Sequence, residues 1–233
     1  MIGNLPELKL ISSTVWWLWL PIIALGTFTV IELFAPSKFY AVFVGENGPL
    51  EYLQVFIILA AIILAFRGIR HSKQAQNKMY IFACALAAAG SIYIFGEEIS
   101  WGQHVFKWAT PQEWSLVNDQ QETNLHNTSS WLDQKPRLVL EIGVIVGGLI
   151  LPGVLRYREN MIPSWLAEVT PPGRMAVIAL CFITIKFFDK LGDATEFVFY
   201  KRASEMTEMY IYYFVALYLY YLIYSLKHQA EKL

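Results

Sequence analysis

The sequence VFIILAAIILAF at residues 55–66 runs for twelve positions without one polar side chain. It belongs to an apolar block over about residues 49–66, which opens at Pro49 and ends before Arg67. As an α-helix, a block of about 20 residues spans the roughly 30 Å hydrocarbon core of a bilayer. A strand of a membrane barrel would instead alternate apolar and polar side chains. The stretch therefore predicts a transmembrane helix.

Comparable apolar blocks recur along the chain, at about residues 14–35, 79–98, 137–155, 174–190 and 207–226. Over its 233 residues the chain is 56% hydrophobic and only 16% charged, whereas soluble domains carry about 25% charged residues. We therefore predict an all-α fold, a polytopic transmembrane helical bundle of about six spans. Residues 1–233 are expected to form a single integral membrane domain.

The longest polar stretch, at residues 101–135, separates the third block from the fourth. Loops of this length are usually functional or disordered, and the four tryptophans of this one argue against disorder. They are Trp101, Trp108, Trp114 and Trp131. We expect the loop to fold onto the membrane surface as one or two short interfacial helices.

Basic residues predict the orientation of the spans, because short cytoplasmic loops are enriched in Lys and Arg. The most basic loops follow the second and fourth blocks and contain Arg67, Arg70, Lys73 and Lys78 in one and Arg156, Arg158 and Arg174 in the other. Placing both loops in the cytoplasm gives a multi-pass protein of the plasma membrane with two cytoplasmic termini. The loop at 101–135 then lies on the outer side.

Composition disfavours several classes of function. The net charge is -1 and no basic stripe is present, so nucleic acid is not an expected partner. Cys84 and Cys181 lie inside apolar blocks without CxxC spacing, which disfavours a thiolate metal site. Gly143 and Gly147 form a GxxxG pattern, which we interpret as a close-packing contact between helices.

Carboxylates at helix ends are concentrated on the predicted outer side. They are Glu51 in the first turn of the second block, Glu97 and Glu98 at the end of the third, Glu122 with His126 in the outer loop, and Glu205 and Glu208 at the start of the sixth. Each acid at a helix N-terminus has an ordinary explanation, because the helix dipole stabilises it there. Together, however, these side chains are expected to converge in one pocket.

Glu97 and Glu98 are the hardest of these residues to explain by solvation alone. Two adjacent acids at a helix C-terminus meet the negative end of the dipole and repel each other, and a bound cation would relieve both effects. Glu122 and His126 are four positions apart, so a helical turn would present a carboxylate and an imidazole to one metal ion. The predicted metal ligands are Glu51, Glu98, Glu122, His126, Glu205 and Glu208, with His104 a weaker candidate. Carboxylate and imidazole ligands favour Zn, Mn or Fe, and Glu97 or Glu98 would then act as a general base.

Three polar strings carry a resemblance to a known family. They are ENGPLEYL at residues 46–53, GEEISWGQ at 96–103 and ETNLHN at 122–127. Over about residues 45–130 the chain resembles a family of bacterial polytopic membrane proteins to which no activity is assigned. The resemblance implies a bacterial inner membrane and a shared feature at the outer face. In that family an Arg often follows the GEEISWGQ string where this chain has His104, which makes His104 the weaker ligand.

Three classes of function are compatible with these residues. The first is a metal-dependent hydrolase or transferase that acts on a membrane lipid or a lipid-linked substrate. The second is a non-catalytic subunit or scaffold that associates with other membrane subunits or with a second copy of itself. The third is a cation or proton transporter, but the ionisable groups expected within the spans are few: Glu32, Glu141 and Lys186.

Overall fold

The protein is described by a computed structural model over residues 14–45, 48–74, 76–118, 122–125, 128, 130–195 and 198–230. Every regular element within these ranges is helical, and they contain no β-strand. The predicted all-α class is therefore confirmed. It follows from the apolar blocks, because a helix satisfies its own backbone hydrogen bonds where water is excluded.

Eleven α-helices are present in the described ranges. The long ones are α1 (Leu20–Phe34), which continues a π-helical turn at Val15–Trp19, α3 (Pro49–Gln74), α4 (Lys78–Glu98), α7 (Ser130–Ile145), α10 (Ala176–Thr195) and α11 (Ala203–Ala230). The short ones are α2 (Ser37–Phe43), α5 (Gln103–Phe106), α6 (Gln112–Ser115), α8 (Leu151–Tyr157) and α9 (Ser164–Val169). A π-helical turn at Val146–Ile150 joins α7 to α8 without a break in the helix.

Five helical segments are long and apolar enough to cross a membrane. They are Val15–Phe34, Pro49–Lys73, Lys78–Glu98, Pro136–Tyr157 and Ala203–Lys227. They correspond to the first, second, third, fourth and sixth of the predicted blocks. The chain therefore has the helices of a multi-pass membrane protein.

The predicted fifth span, at residues 174–190, corresponds to α10, which is not among these five segments. Its length is sufficient, but its second half carries charge. The charged side chains there are Lys186, Asp189, Lys190 and Asp193. A count of six spans is therefore still a prediction, while five candidate helices are found.

Two helices extend beyond the predicted apolar blocks. The second block was expected to end at Phe66, but α3 continues through Arg67 to Gln74, because a basic side chain can lie along apolar surface while its charge reaches the interface. The outer loop was expected to reach residue 135, but α7 begins at Ser130. In both places polar residues extend the helix beyond its apolar part.

Helix α11 is the centre of the bundle. In its most apolar window 67% of the residues are buried, against 28% or less in the other four segments. Helix α3 packs against both α4 and α11, and α10 packs against α11 on another side. The remaining helices therefore present most of their apolar surface outward, as lipid-facing helices do.

The tyrosines of α11 are more numerous than lipid contact requires, and the structure shows their use. Their hydroxyls donate to backbone carbonyls of other segments: Tyr210 to Pro21 at 2.8 Å, Tyr213 to Trp16 at 2.5 Å and Tyr218 to Val169 at 2.5 Å. A buried hydroxyl without an acceptor is costly, so the contacts of Tyr210 and Tyr218, which are buried or partly buried, favour one arrangement of the helices around α11.

Glycines allow close approach where α7 and α8 join. A Cβ on Gly148 would come within 2.7 Å of the Cβ of Ala179 on α10, and one on Gly147 would lie 3.4 Å from Pro171. The expectation that Gly143 and Gly147 form a packing pair is wrong for Gly143, because no atom in the described part of the chain lies within 4 Å of such a Cβ there. The tight contact involves the adjacent pair of glycines instead.

Candidate functional site

The polar ends of α3, α4 and α11 lie together at one end of the bundle. The side-chain amide of Gln54 on α3 donates to the Glu205 carbonyl in the first turn of α11 at 2.7 Å. The Tyr212 hydroxyl on α11 donates to Glu98 Oε1 in the last turn of α4 at 2.9 Å. Both contacts join residues that are more than a hundred positions apart in the sequence.

Glu98 lies among several of the predicted site residues. Besides the Tyr212 hydroxyl, the groups that act electrostatically on its carboxylate are Glu205, Glu51 and Arg137. The structure therefore brings together three of the predicted acids, one each from α3, α4 and α11. Their helices run in alternating directions, which places these helix ends on the same side of the bundle.

Arg137 on α7 completes this group, although it is not among the predicted site residues. Its guanidinium lies 3.0 Å from Glu208 Oε1 and 3.3 Å from Glu141 Oε1, and it donates to the Thr207 hydroxyl at 2.8 Å. Lys186 Nζ lies 2.9 Å from the same oxygen of Glu141. The spacing of Arg137 and Glu141, one helical turn apart, was the available signal in the sequence.

Glu97 points away from this group and binds the outer loop. It is 5% exposed, and its two oxygens accept hydrogen bonds from the Trp101 indole and from the Leu125 backbone amide, each at 2.7 Å. The two adjacent acids therefore do not share a ligand. Their repulsion is reduced by separate donors rather than by one cation between them.

Two of the strings that carry the family resemblance meet in space. Ser100 donates to Glu122 Oε2 at 2.7 Å, and the Thr123 amide donates to Gln103 Oε1 at 2.7 Å. The same oxygen of Glu122 accepts a hydrogen bond from the side-chain amide of Asn124 at 2.6 Å. The GEEISWGQ and ETNLHN strings thus form one hydrogen-bonded network, which we call the loop network.

The glycines of GEEISWGQ have a steric explanation. The Trp101 ring folds over Gly96, where a Cβ would approach it to 2.8 Å. Ser100 and Trp101 have φ values of 47° and 53°, and Gly102 follows at 106°. Positive φ is unfavourable for residues other than glycine, so the loop network holds two residues in strained conformations.

The metal-ligand set is still a prediction. Among the described residues, no three His, Cys, Asp or Glu side chains gather closely enough to hold a metal ion. Glu122 belongs to the loop network, whereas Glu98 contacts α11. His126 lies outside the described residues, and so does the side chain of His104.

A second charged group lies where α1 approaches the segment before α11. Lys201 Nζ is 3.3 Å from Glu32 Oε1 and 5.1 Å from the centre of the Tyr40 ring. The Glu32 side chain is only 3% exposed, whereas that of Lys201 is 64% exposed. Burial, and then the negative charge of Glu32, raise the pKa of the Tyr40 hydroxyl. The contact between Lys201 and Glu32 identifies a structural ion pair.

An apolar cleft of about 650 Å³ lies between α4, α7 and α11. Its lining includes Phe82 and Leu86 on α4, Val139 on α7 and Phe214 on α11. The first three of these side chains are largely exposed, so the cleft is open between α4 and α7. Ligand sites commonly have volumes of about 300–1,000 Å³. We call it the lateral cleft.

No protein-family model, curated protein or solved structure matches this chain significantly.

The lateral cleft ends one helical turn from the charged group around Glu98. On each of three helices a cleft residue is followed, four positions further toward that end, by a polar residue: Ile58 by Gln54, Ile94 by Glu98 and Tyr212 by Glu208. One turn of an α-helix rises about 5.4 Å. The polar cluster, as we call it, consists of Glu51, Gln54, Glu98, Arg137, Glu205 and Glu208. Cleft and cluster together have the shape of a site for an amphiphile.

Proposed function

We propose that this protein binds a lipid or a lipid-linked molecule and acts on its headgroup as a hydrolase or transferase. An acyl chain would occupy the lateral cleft, and the headgroup would lie at the polar cluster. The observation that supports this best is the alignment of the two, with the apolar cleft ending one turn from Glu98. Membrane lipids are therefore the proposed partners.

The cleft favours an amphiphile over a polar solute. Its lining is apolar on all three long helices, and burial of apolar surface contributes about 25 cal/mol per Å². Because the opening lies between two helices that present apolar surface outward, a molecule already dissolved in the bilayer could enter sideways. A water-soluble substrate would gain little from such a lining.

Glu98 is the proposed catalytic residue. In hydrolysis its carboxylate takes a proton from water while the water oxygen bonds to the carbonyl carbon or phosphorus of the headgroup ester. The same carboxyl group returns the proton to the leaving oxygen as the ester bond breaks. An acceptor hydroxyl replaces water in a transfer. Tyr212 orients the carboxylate through its 2.9 Å hydrogen bond. General acid–base catalysis of this kind raises the reaction rate by about 10²–10⁴-fold.

The proposed location is a bacterial inner membrane, with six spans, both termini in the cytoplasm and the polar cluster at the outer face. The bacterial source rests on the resemblance of the polar strings. Helix α10 is the proposed sixth span. Its deepest charge, Lys186, is paired with Glu141, and such pairing lowers the cost of a charge inside a membrane. The basic residues at the end of α3 (Arg67, Arg70 and Lys73) and Lys78 at the start of α4 support a cytoplasmic position for the opposite end.

Lipid binding is tested by filling the cleft. Gly143 lines the cleft and has open space around it, so Gly143→Trp should reduce both the lipid that copurifies and crosslinking to a diazirine-labelled acyl chain. Gly26→Trp is the matched control, because Gly26 also has open space but does not line the cleft. Equal labelling of the two variants, measured by mass spectrometry, would contradict the proposal.

Catalysis is tested with Glu98→Gln, which keeps an acceptor for Tyr212 and removes the base. Labelled lipids from the host membrane are incubated with the protein, and the products are identified by mass spectrometry. Turnover should fall by about 100-fold or more while lipid binding is retained. Glu113→Gln is the control, because Glu113 is exposed in the outer loop. Undiminished turnover in Glu98→Gln would remove Glu98 from the mechanism.

The metal-assisted form of this chemistry has its own test. Elemental analysis of the purified protein should find a stoichiometric divalent metal such as Zn, Mn or Fe, which Glu98→Gln and His126→Ala should both remove. A well-folded preparation without metal would exclude the metal-assisted form and leave the acid–base form intact.

A proton or cation pathway is the second candidate, favoured by one observation. The ion pairs extend from Glu208 through Arg137 and Glu141 to Lys186, so charged groups reach the middle part of α7 and α10. Reconstituted vesicles with a pH-sensitive dye test this function. Proton flux that Glu141→Gln abolishes and Glu113→Gln retains would establish it, and absence of flux would leave the lipid function alone.

A further inference from the structure

The polar cluster and its immediate partners carry more negative than positive charge. Among the described residues five carboxylates and three basic groups are connected here: Glu51, Glu98, Glu141, Glu205 and Glu208 with Arg137, Lys186 and Arg202. Glu98, the carboxylate nearest the cleft on α4, has two acids and one base as its charged neighbours. A ligand group placed beside Glu98 would therefore lie near two further carboxylates and one guanidinium group.

Gln54 provides an independent indication of what the cluster binds. Its side chain is 0% exposed, and its Oε1 atom has no hydrogen-bond partner within the described part of the chain. The amide nitrogen is fixed on the Glu205 carbonyl, so the amide lies in the gap between the first turns of α3 and α11. Buried acceptors are almost always satisfied, and this one belongs to a side chain that is fixed on the backbone of Glu205, a member of the cluster.

The position of Gln54 connects it to the lateral cleft. On α3 it lies three residues after Glu51 and four before Ile58, which lines the cleft. Residues at these spacings share one face of a helix. A molecule whose chain reaches Ile58 therefore has its polar end within about one helical turn of the Gln54 amide.

We infer that the headgroup bound at the polar cluster carries a primary ammonium group, as in an ethanolamine lipid. The inference rests on the proposed lipid function and specifies its ligand. A positive charge suits the excess of carboxylates, and an ammonium group has three N–H donors and no acceptor. One donor would satisfy Gln54 Oε1 and another Glu98. A quaternary ammonium has the charge but lacks the donors, and a glycerol headgroup lacks the charge.

The difference between these three headgroups provides the test. The full-length protein in detergent is titrated with lipids of identical acyl chains that carry ethanolamine, choline or glycerol headgroups, and bound lipid is counted by native mass spectrometry. Ethanolamine lipid should bind about tenfold more tightly than choline lipid, because one hydrogen bond to a charged group changes the binding affinity by about this factor. Choline lipid should in turn bind more tightly than glycerol lipid.

Variants identify the groups responsible. Gln54→Met has a similar size but no acceptor, and should remove the preference for ethanolamine over choline. Glu98→Gln should reduce the preference for both cationic headgroups over glycerol. Glu113→Gln should preserve all three affinities. Because Gln54 also bonds to Glu205, thermal unfolding of each variant is compared, and the headgroup comparison in the wild-type protein is decisive even where a variant does not fold.

The outcomes separate this inference from the proposed function. Equal affinity for ethanolamine and choline lipids, or tightest binding of glycerol lipid, would overturn the ammonium inference. If Gly143→Trp still abolished binding in that case, the lipid function would stand. Absence of binding by all three lipids, or binding unaffected by Gly143→Trp, would overturn both.

Discussion

Replacing Glu97 with Gln should loosen the outer loop while leaving the helical bundle folded. Glu97 is 5% exposed, and its two oxygens accept short hydrogen bonds from the Trp101 indole and from the Leu125 amide. A Gln side chain has one acceptor oxygen and one NH₂ group. It can retain one of the two contacts, and at the other it places a donor against a donor.

The size of the effect follows from this count. A hydrogen bond to a charged group contributes about 1.5–3 kcal/mol, and one such bond is lost. We therefore expect the free energy of local opening to fall by about 2 kcal/mol. Because 1.4 kcal/mol corresponds to about a factor of ten, the opening equilibrium should rise about 30-fold.

Hydrogen–deuterium exchange of the solubilised protein measures this change directly. The Leu125 amide donates to Glu97 itself, so peptides that contain Leu125 should exchange faster in Glu97→Gln. Peptides from α11 should exchange at the wild-type rate. Glu113→Gln is the matched control, since the same chemical change is made at an exposed position of the loop. The reasoning is wrong if Leu125 retains its protection, or if Glu113→Gln raises its exchange equally.

Two further predictions concern the stability of the bundle, measured by thermal unfolding in detergent. Gly148→Ala should destabilise the protein by about 1–3 kcal/mol, because the new Cβ would lie 2.7 Å from a Cβ on α10. Gly153→Ala is the control, since Gly153 lies in open space, and it should be neutral or slightly stabilising. Equal unfolding temperatures of the two variants would contradict the packing argument. Lys201→Gln should destabilise the protein by about 1–2 kcal/mol, because it leaves the buried Glu32 carboxylate without its cation. This free energy is lower than that of a fully buried ion pair, because Lys201 is largely exposed. Lys190→Gln breaks a pair whose two members are exposed and should cost at most about 0.5 kcal/mol; a larger loss there than in Lys201→Gln would refute the comparison.

The positions of the long helices follow from sequence because the apolar runs are local signals. Residues 55–66 lie in the middle of α3, as expected for an uninterrupted apolar run. The ends are less predictable, because Arg67 has both a charge and an apolar stem and does not mark the point where α3 stops. Whether α10 can span the membrane depends on Lys186. The free energy of placing this charge in the membrane depends on a partner such as Glu141.

Part of the candidate site could also be anticipated. Glu51, Glu98 and Glu205 were expected to converge, and both Glu51 and Glu205 act electrostatically on Glu98, because alternating helices bring these ends to one side. Gln54 and Arg137 were missed. Their roles depend on contacts with α11, which is distant in the sequence. Gln54 and Glu205, for example, are 151 positions apart. No local pattern contains such a pairing, although a polar residue inside an apolar block is a general indication of function.

The different roles of Glu97 and Glu98 follow from helical geometry. With 3.6 residues per turn, adjacent residues of a helix point about 100° apart, so two neighbouring acids at the end of α4 face different surroundings. Glu98 faces α11 and the polar cluster, whereas Glu97 faces the loop network. The positive φ values of Ser100 and Trp101 cost about 1–3 kcal/mol each, and the hydrogen bonds to Glu97 oppose that strain. The two adjacent acids therefore have separate structural contacts: Glu97 fixes the loop at the end of α4, and Glu98 accepts a hydrogen bond from Tyr212 at the polar cluster.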